Sequence, residues 1–119
     1  MNAKLAKSGF ALALALTAIT LGAQTRELTL RHYEFWRASE GPYFAFTIKV
    51  MQESFLYANA SLVVDGKSPI YCQPGRLTLT GDASLEVLDK ETKITNRSLD
   101  TPLFVVFLDG LRRTFPCAR

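Results

Sequence analysis

Apolar residues recur at helical spacing in several separate stretches of this chain. The clearest is the series Phe44, Ile48, Met51, Phe55, Ala58 and Leu62, which steps by four and three residues along one face. Phe, Thr, Ile and Val between positions 44 and 50 also suit extended structure. The helical period nevertheless persists for roughly 20 residues, far longer than an ordinary strand. Pro42 suits the first turn of this helix, and Asp65-Gly66-Lys67-Ser68-Pro69 ends it with turn chemistry.

Shorter helices are predicted on either side. Residues 30–38 form the first, with Thr29 as N-cap and Leu30, Tyr33 and Trp36 on one side. Residues 82–93 form the third, with Thr80 as cap, Asp82 in the first turn and Leu85 and Leu88 as its apolar edge. Glu86 and Lys90, and Asp89 and Lys93, stand at the spacing of i,i+4 ion pairs there, as Lys49 and Glu53 do in the long helix. Thr101-Pro102 opens the fourth, over 102–114. Leu103, Phe104, Val105, Val106, Phe107 and Leu108 make its beginning apolar nearly all round, which predicts a central, buried helix. Gly110 lowers its helix propensity by about 1 kcal/mol, which points to a close neighbour. Between these helices, 70–75 reads as irregular, 76–79 as a short extended piece and 95–100 as a polar loop.

The beginning of the chain follows another logic. Lys4 and Lys7 precede an apolar run from Phe10 to about Leu21, and Gly22-Ala23 offers a small-residue cleavage site. The run is shorter than the roughly 20 residues a membrane span needs. Residues 1–23 are therefore expected to be a cleaved signal peptide, without a stable membrane anchor, and residues 24–119 a single helical domain. Two of the 14 Lys and Arg residues lie in that leader, leaving 12 against 11 acids, a net charge near +1. The basic whole-chain balance thus belongs largely to the targeting segment and predicts no nucleic-acid partner.

Export also decides the cysteine chemistry. The two cysteines, Cys72 and Cys117, are 45 positions apart. In an oxidising compartment such a pair is expected as a disulfide rather than as a metal or redox site. The fold class expected is therefore all-α: a small four-helix bundle-like domain with one disulfide, following a cleaved signal peptide.

Candidate chemistry changes this picture little. His32 is the single histidine and has no second ligand at metal spacing. No G-x-S-x-G, H-E-x-x-H, P-loop or C-x-x-C motif occurs. No catalytic, cofactor-binding or metal-binding residue is assigned, and an enzyme is not expected. Arg112 and Arg113 suit a helix C-terminus. Asn59-Ala60-Ser61 and Asn96-Arg97-Ser98 match the glycosylation sequon, a pattern that often arises by chance. Tyr33, Phe35, Trp36, Tyr43, Phe44 and Phe46 crowd one region. Core packing is the first account of them, and an exposed partner-binding patch the second.

The segment Tyr71-Cys72-Gln73-Pro74-Gly75-Arg76-Leu77-Thr78-Leu79, a following helix, and Phe107-Leu108-Asp109-Gly110-Leu111-Arg112-Arg113-Thr114-Phe115-Pro116-Cys117 together resemble the Rap/Tai-type family. These are small exported helical proteins of Gram-negative bacteria, among them immunity proteins against type VI secretion amidase effectors. Cys72-Gln73-Pro74 matches the family's Cys-x-Pro step and Phe115-Pro116-Cys117 its closing Phe-Pro-Cys. Tyr57-Ala58-Asn59-Ala60 is similar to a small-and-Asn segment near the end of the family's long helix. The third helix is thinner in apolar residues than the family's. The resemblance implies a periplasmic protein that binds and inhibits a peptidoglycan amidase toxin, its cognate effector. Specificity is then expected in loops such as 64–76 and 94–101. A homodimer is a further expectation. The alternative is a periplasmic stress protein or chaperone of unknown client, or another periplasmic structural or binding protein.

Overall fold

Helices Leu30–Ser39 (α1), Gly41–Val64 (α2), Gly81–Ile94 (α3) and Leu103–Thr114 (α4) build the part of the chain, residues 27–118, that this computed structural model describes. The expected signal peptide, 1–23, lies outside the described residues. No β-strand occurs among the described residues. The 76–79 segment, expected to be extended, is a turn followed by irregular backbone. The all-α expectation holds, and each predicted helix is present within a few residues of its expected limits.

Local chemistry explains where the helices begin. Thr80 Oγ1 accepts the Ala83 N–H at 3.2 Å and caps α3. Pro42 stands in the first turn of α2, where its missing N–H costs nothing. At the start of α1, His32 Nδ1 accepts the Thr29 N–H at 3.2 Å, the role Glu or Gln plays in a capping box. The next two free amides of α1 are met from across the molecule. Leu30 N–H donates to the Thr101 carbonyl at 3.0 Å and Arg31 N–H to the Leu99 carbonyl at 2.9 Å. Leu103 N–H returns the exchange, donating to the Leu28 carbonyl at 2.7 Å. The starts of α1 and α4 are thereby stapled together around the Thr29–Pro102 bridge.

The core gathers Leu30 and Tyr33 from α1, Phe44, Ala45 and Ile48 from α2, Leu85, Val87 and Leu88 from α3, and Leu103, Val106, Phe107 and Leu111 from α4. Tyr71 and Leu79 join it from the α2–α3 connection. Two expectations need correction. The central helix is α3, which packs on both α2 and α4. Helix α4 is one-sided instead: Leu103, Val106, Phe107, Gly110 and Leu111 are buried, whereas Phe104 is exposed. An amphipathic face at that spacing needs only one packed side. The close approach expected at Gly110 is present, because a Cβ there would lie 3.1 Å from Val87 Cγ1 and 3.2 Å from the Val87 carbonyl oxygen of α3.

The face of α2 also runs differently from the apolar spacing. Phe44 and Ile48 are fully buried, and Met51 and Phe55 pack against the core, but Ala58 is exposed. The inward stripe continues instead through Gln52 and Asn59, two buried polar residues. Both hold the connection that follows α2.

Candidate functional site

Residues 65–80 join α2 to α3 without regular structure, yet side chains of the scaffold fix them at several points. Asn59, buried on α2, accepts the Ile70 N–H through Oδ1 and donates through Nδ2 to the Tyr71 carbonyl, each at 2.5 Å. A single amide thus replaces the two partners a sheet or helix would give this backbone. The Tyr71 ring is buried, and burial pushes its hydroxyl pKa up. Gln52 Nε2 donates to Gln73 Oε1 at 3.1 Å, and Gln73 Nε2 donates onward to the Leu77 carbonyl at 2.6 Å.

The disulfide completes the fastening. Cys72 and Cys117 are bonded, as expected from the sequence. Beside the bond, Cys72 N–H donates to the Phe115 carbonyl at 2.8 Å. The connection is therefore held to α2 on one side and to the segment after α4 on the other.

This fastening leaves an open groove of about 250 Å³ between the second half of α2 and the pinned segment. Leu56, Ala60 and Val63 form one wall, and Pro69, Cys72 and Gln73 the other. Leu56 and Val63 expose apolar side chains along it. Preorganised, largely apolar and shallow, it suits a side chain of another protein better than a small substrate, which needs a deeper enclosure. Of the expected specificity loops, 64–76 supplies this wall.

The 94–101 loop lies elsewhere, beside a charged network. Arg97 reaches Asp109 Oδ2 at 2.8 Å and Glu91 Oε1 at 3.4 Å, and Arg113 Nε meets Glu91 Oε2 at 2.9 Å. Glu91 is almost fully buried, and the Arg113 guanidinium is held in its charged form chiefly by its hydrogen bond to that carboxylate. The Arg97 guanidinium thus stands between Glu91 and Asp109 and bridges the two carboxylates. Network residues on α3 and α4 serve packing of those helices.

His32 caps α1. Asp89 does not pair with Lys93 as its spacing suggested. It turns to α1, where the Tyr33 hydroxyl donates to Oδ1 and Arg37 Nη2 lies 3.0 Å from Oδ2. No Glu86–Lys90 pair forms among the described residues, while Lys49–Glu53 does at 3.6 Å. Asn59 of the first sequon is buried and engaged on both amide atoms. The aromatic cluster divides: Tyr33 and Phe44 are buried, Trp36 packs edge-on to Phe44, and Phe35, Tyr43 and Phe46 are exposed. No group of His, Cys, Asp and Glu among the described residues could hold a metal ion. Among them, too, no helix is long and apolar enough to cross a membrane.

The polar anchors Gln52 and Asn59 were missed in the sequence because polar residues read as outward-facing. A signal was nevertheless there: Ala45, Ile48, Gln52, Phe55 and Asn59 continue one stripe by steps of three and four. Comparison with known protein families, curated proteins and solved structures finds no match to this chain.

Proposed function

We propose that this protein is a periplasmic immunity protein that binds and inhibits a peptidoglycan amidase. The observation that carries the reading is the pinned 65–80 connection with its apolar groove against α2. A surface fastened in advance by a disulfide and buried amides loses little conformational entropy when a partner docks, which favours tight inhibition. The Cys72-Gln73-Pro74 and Phe115-Pro116-Cys117 steps, on which the resemblance to Rap/Tai-type proteins rests, frame the same segment. The disulfide accords with an oxidising compartment.

The test is to find an amidase encoded beside this gene and to measure inhibition of its peptidoglycan cleavage; the absence of any amidase-like neighbour and of any bound partner counts against the proposal. Stoichiometric protection is expected, with Leu56→Asp or Val63→Asp weakening it by at least about tenfold, as for loss of a central apolar contact. Full amidase activity in the presence of excess folded protein would overturn the proposal.

A further inference from the structure

A second cavity, of about 410 Å³, lies between α1 and the segment where α3 runs into the 94–101 loop. Leu30, Tyr33 and Glu34, on one face of α1 by their spacing of three and four, form one wall, and Thr92 and Thr95 another. Its volume falls in the range of small-molecule sites. It shares no lining residue with the groove beside α2, so the two are separable by mutation.

Glu34 is unusual in its charge environment. Arg31 and Arg37 stand three residues to either side of it on α1, the spacing of helical ion pairs. Both guanidiniums turn elsewhere. Arg31 Nη2 lies 3.0 Å from Asp100 Oδ1, and Arg37 Nη2 lies 3.0 Å from Asp89 Oδ2. Among the described residues the Glu34 carboxylate therefore has no ion-pair partner, although it stands on a cavity wall.

The hydrogen-bond inventory of the cavity points the same way. The Tyr33 hydroxyl gives its proton to Asp89 Oδ1, the Thr92 hydroxyl to the Asp89 carbonyl at 2.8 Å and the Thr95 hydroxyl to the Glu91 carbonyl at 2.7 Å. The hydroxyl protons of the lining are thus spent within the protein, and the Tyr33 and Thr92 oxygens still offer lone pairs. Arg97 sends Nε to Thr95 Oγ1 and Nη2 to Glu91 and Asp109, so its charge is met by carboxylates behind the wall. The Asn96 amide, without a hydrogen bond among the described residues, adds a further acceptor. Acceptors and one free carboxylate are complementary to a group with positive charge, several donors and no lone pair. That group is an ammonium. Leu30, and Leu99 from the loop, supply apolar surface for a short stem.

We infer that this cavity binds a primary ammonium carried on a short aliphatic stem, its nitrogen at the Glu34 carboxylate and its stem against Leu30 and Leu99. A free amine and a lysine side chain of another protein both present this group.

Amide NMR of the folded protein, titrated near neutral pH with n-butylamine hydrochloride to about 50 mM, tests the site, since so small a ligand binds weakly. Saturable shifts centred on Tyr33, Glu34, Asn96 and Leu99 are expected, with none from sodium butyrate or 1-butanol at the same concentrations. Glu34→Gln should raise the dissociation constant about tenfold, as loss of a hydrogen bond to a charged group does. Glutamine keeps the helix propensity of glutamate, so the fold survives that change. Glu86→Gln, at an exposed acid of α3 outside the cavity, should leave binding as it was. Nα-acetyl-lysine methylamide separates the two sources: binding as tight as that of butylamine assigns the site to a protein's lysine, and weaker binding assigns it to a free amine. Absence of saturable shifts, equal binding of butyrate or butanol, or a Glu34→Gln variant that binds undiminished would overturn the inference.

Discussion

The Asn59 side chain satisfies the backbone of its neighbour Tyr71: its amide nitrogen donates to the Tyr71 carbonyl while its oxygen holds the Ile70 N–H. Few single side chains serve an irregular segment so fully, and the consequence is measurable. Asn59→Ala leaves a partly buried N–H and a buried carbonyl without these partners, at a cost of about 2–3 kcal/mol. Asn59→Asp keeps the acceptor but sets a carboxylate oxygen against the Tyr71 carbonyl, and it should destabilise as well. Urea unfolding monitored by circular dichroism will read both changes.

The disulfide should contribute mainly through the unfolded chain. Closing a loop of 45 residues is worth on the order of 4 kcal/mol in the chain-entropy model. Replacing both cysteines by serine is therefore expected to lower unfolding free energy by up to about that amount while the helix content of the folded state survives. Non-reduced peptide mapping should recover Cys72 joined to Cys117, and two free thiols in protein prepared without reductant would contradict the bond.

Tyr33 and Asp89 tie α1 to α3 with opposite pH dependences. Burial, followed by the hydrogen bond to Asp89, pushes the Tyr33 hydroxyl up to about 12. Burial opposes the charged form of Asp89, but hydrogen bonds from Arg37 and Tyr33 outweigh it and hold that carboxyl below its ordinary value. The Tyr33 contribution is complete below pH of about 10 and fades as pH rises through about 12. The Asp89 contribution is complete above the ordinary carboxylate range and fades as pH falls through its lowered value. Tyr33→Phe should cost about 1.5–3 kcal/mol at neutral pH, the range for a hydrogen bond to a charged group. It should also move the Asp89 titration upward, as read by carbon-13 NMR of its carboxyl. An Asp89 titration unmoved by Tyr33→Phe would show that Arg37 alone sets it. The chaperone alternative expects apolar surface to open in acid, and dye binding between pH 7 and pH 2 examines this directly.

Glycine positions give a sharper packing test. A Cβ on Gly81 would sit 2.8 Å from the Ala45 carbonyl oxygen, a backbone atom that cannot swing aside. Gly81→Ala is expected to lose about 1–3 kcal/mol as overpacking does, despite alanine's better helix propensity. Gly110→Ala meets contacts of 3.1–3.2 Å and should lose less, while Gly110→Leu should prevent α3 and α4 from closing. Thermal unfolding of the three variants ranks them.

Much of this architecture was legible in the sequence because the signals were local. Thr80 caps α3 where its spacing places it, Pro42 opens α2, and Cys72 finds Cys117 as the other cysteine of the chain. What stayed hidden depends on contacts distant in sequence. Apolar density could not show that Phe104 lies outside, since only the position of α3 decides which side of α4 is covered. The spacing of Asp89 and Lys93 was right for a pair, but Tyr33 and Arg37 of α1 compete for the same carboxylate and prevail. The groove was hidden for a related reason. Its anchors, Gln52 and Asn59, are polar, and only the fold shows that an irregular segment needs their amides.

The staple between the starts of α1 and α4 bears on the order in which the chain can fold. The backbone partners of Leu28, Leu30 and Arg31 are Leu103, Thr101 and Leu99, and Cys72 must await Cys117. A chain delivered from its N-terminus, by a ribosome or through a translocation channel, therefore presents α1 and the pinned connection before the partners that complete them. Until α4 emerges, α1 lacks its lid of carbonyls and the pinned connection lacks its second anchor. The staple and the disulfide can therefore close only after residues 99–117 have been delivered.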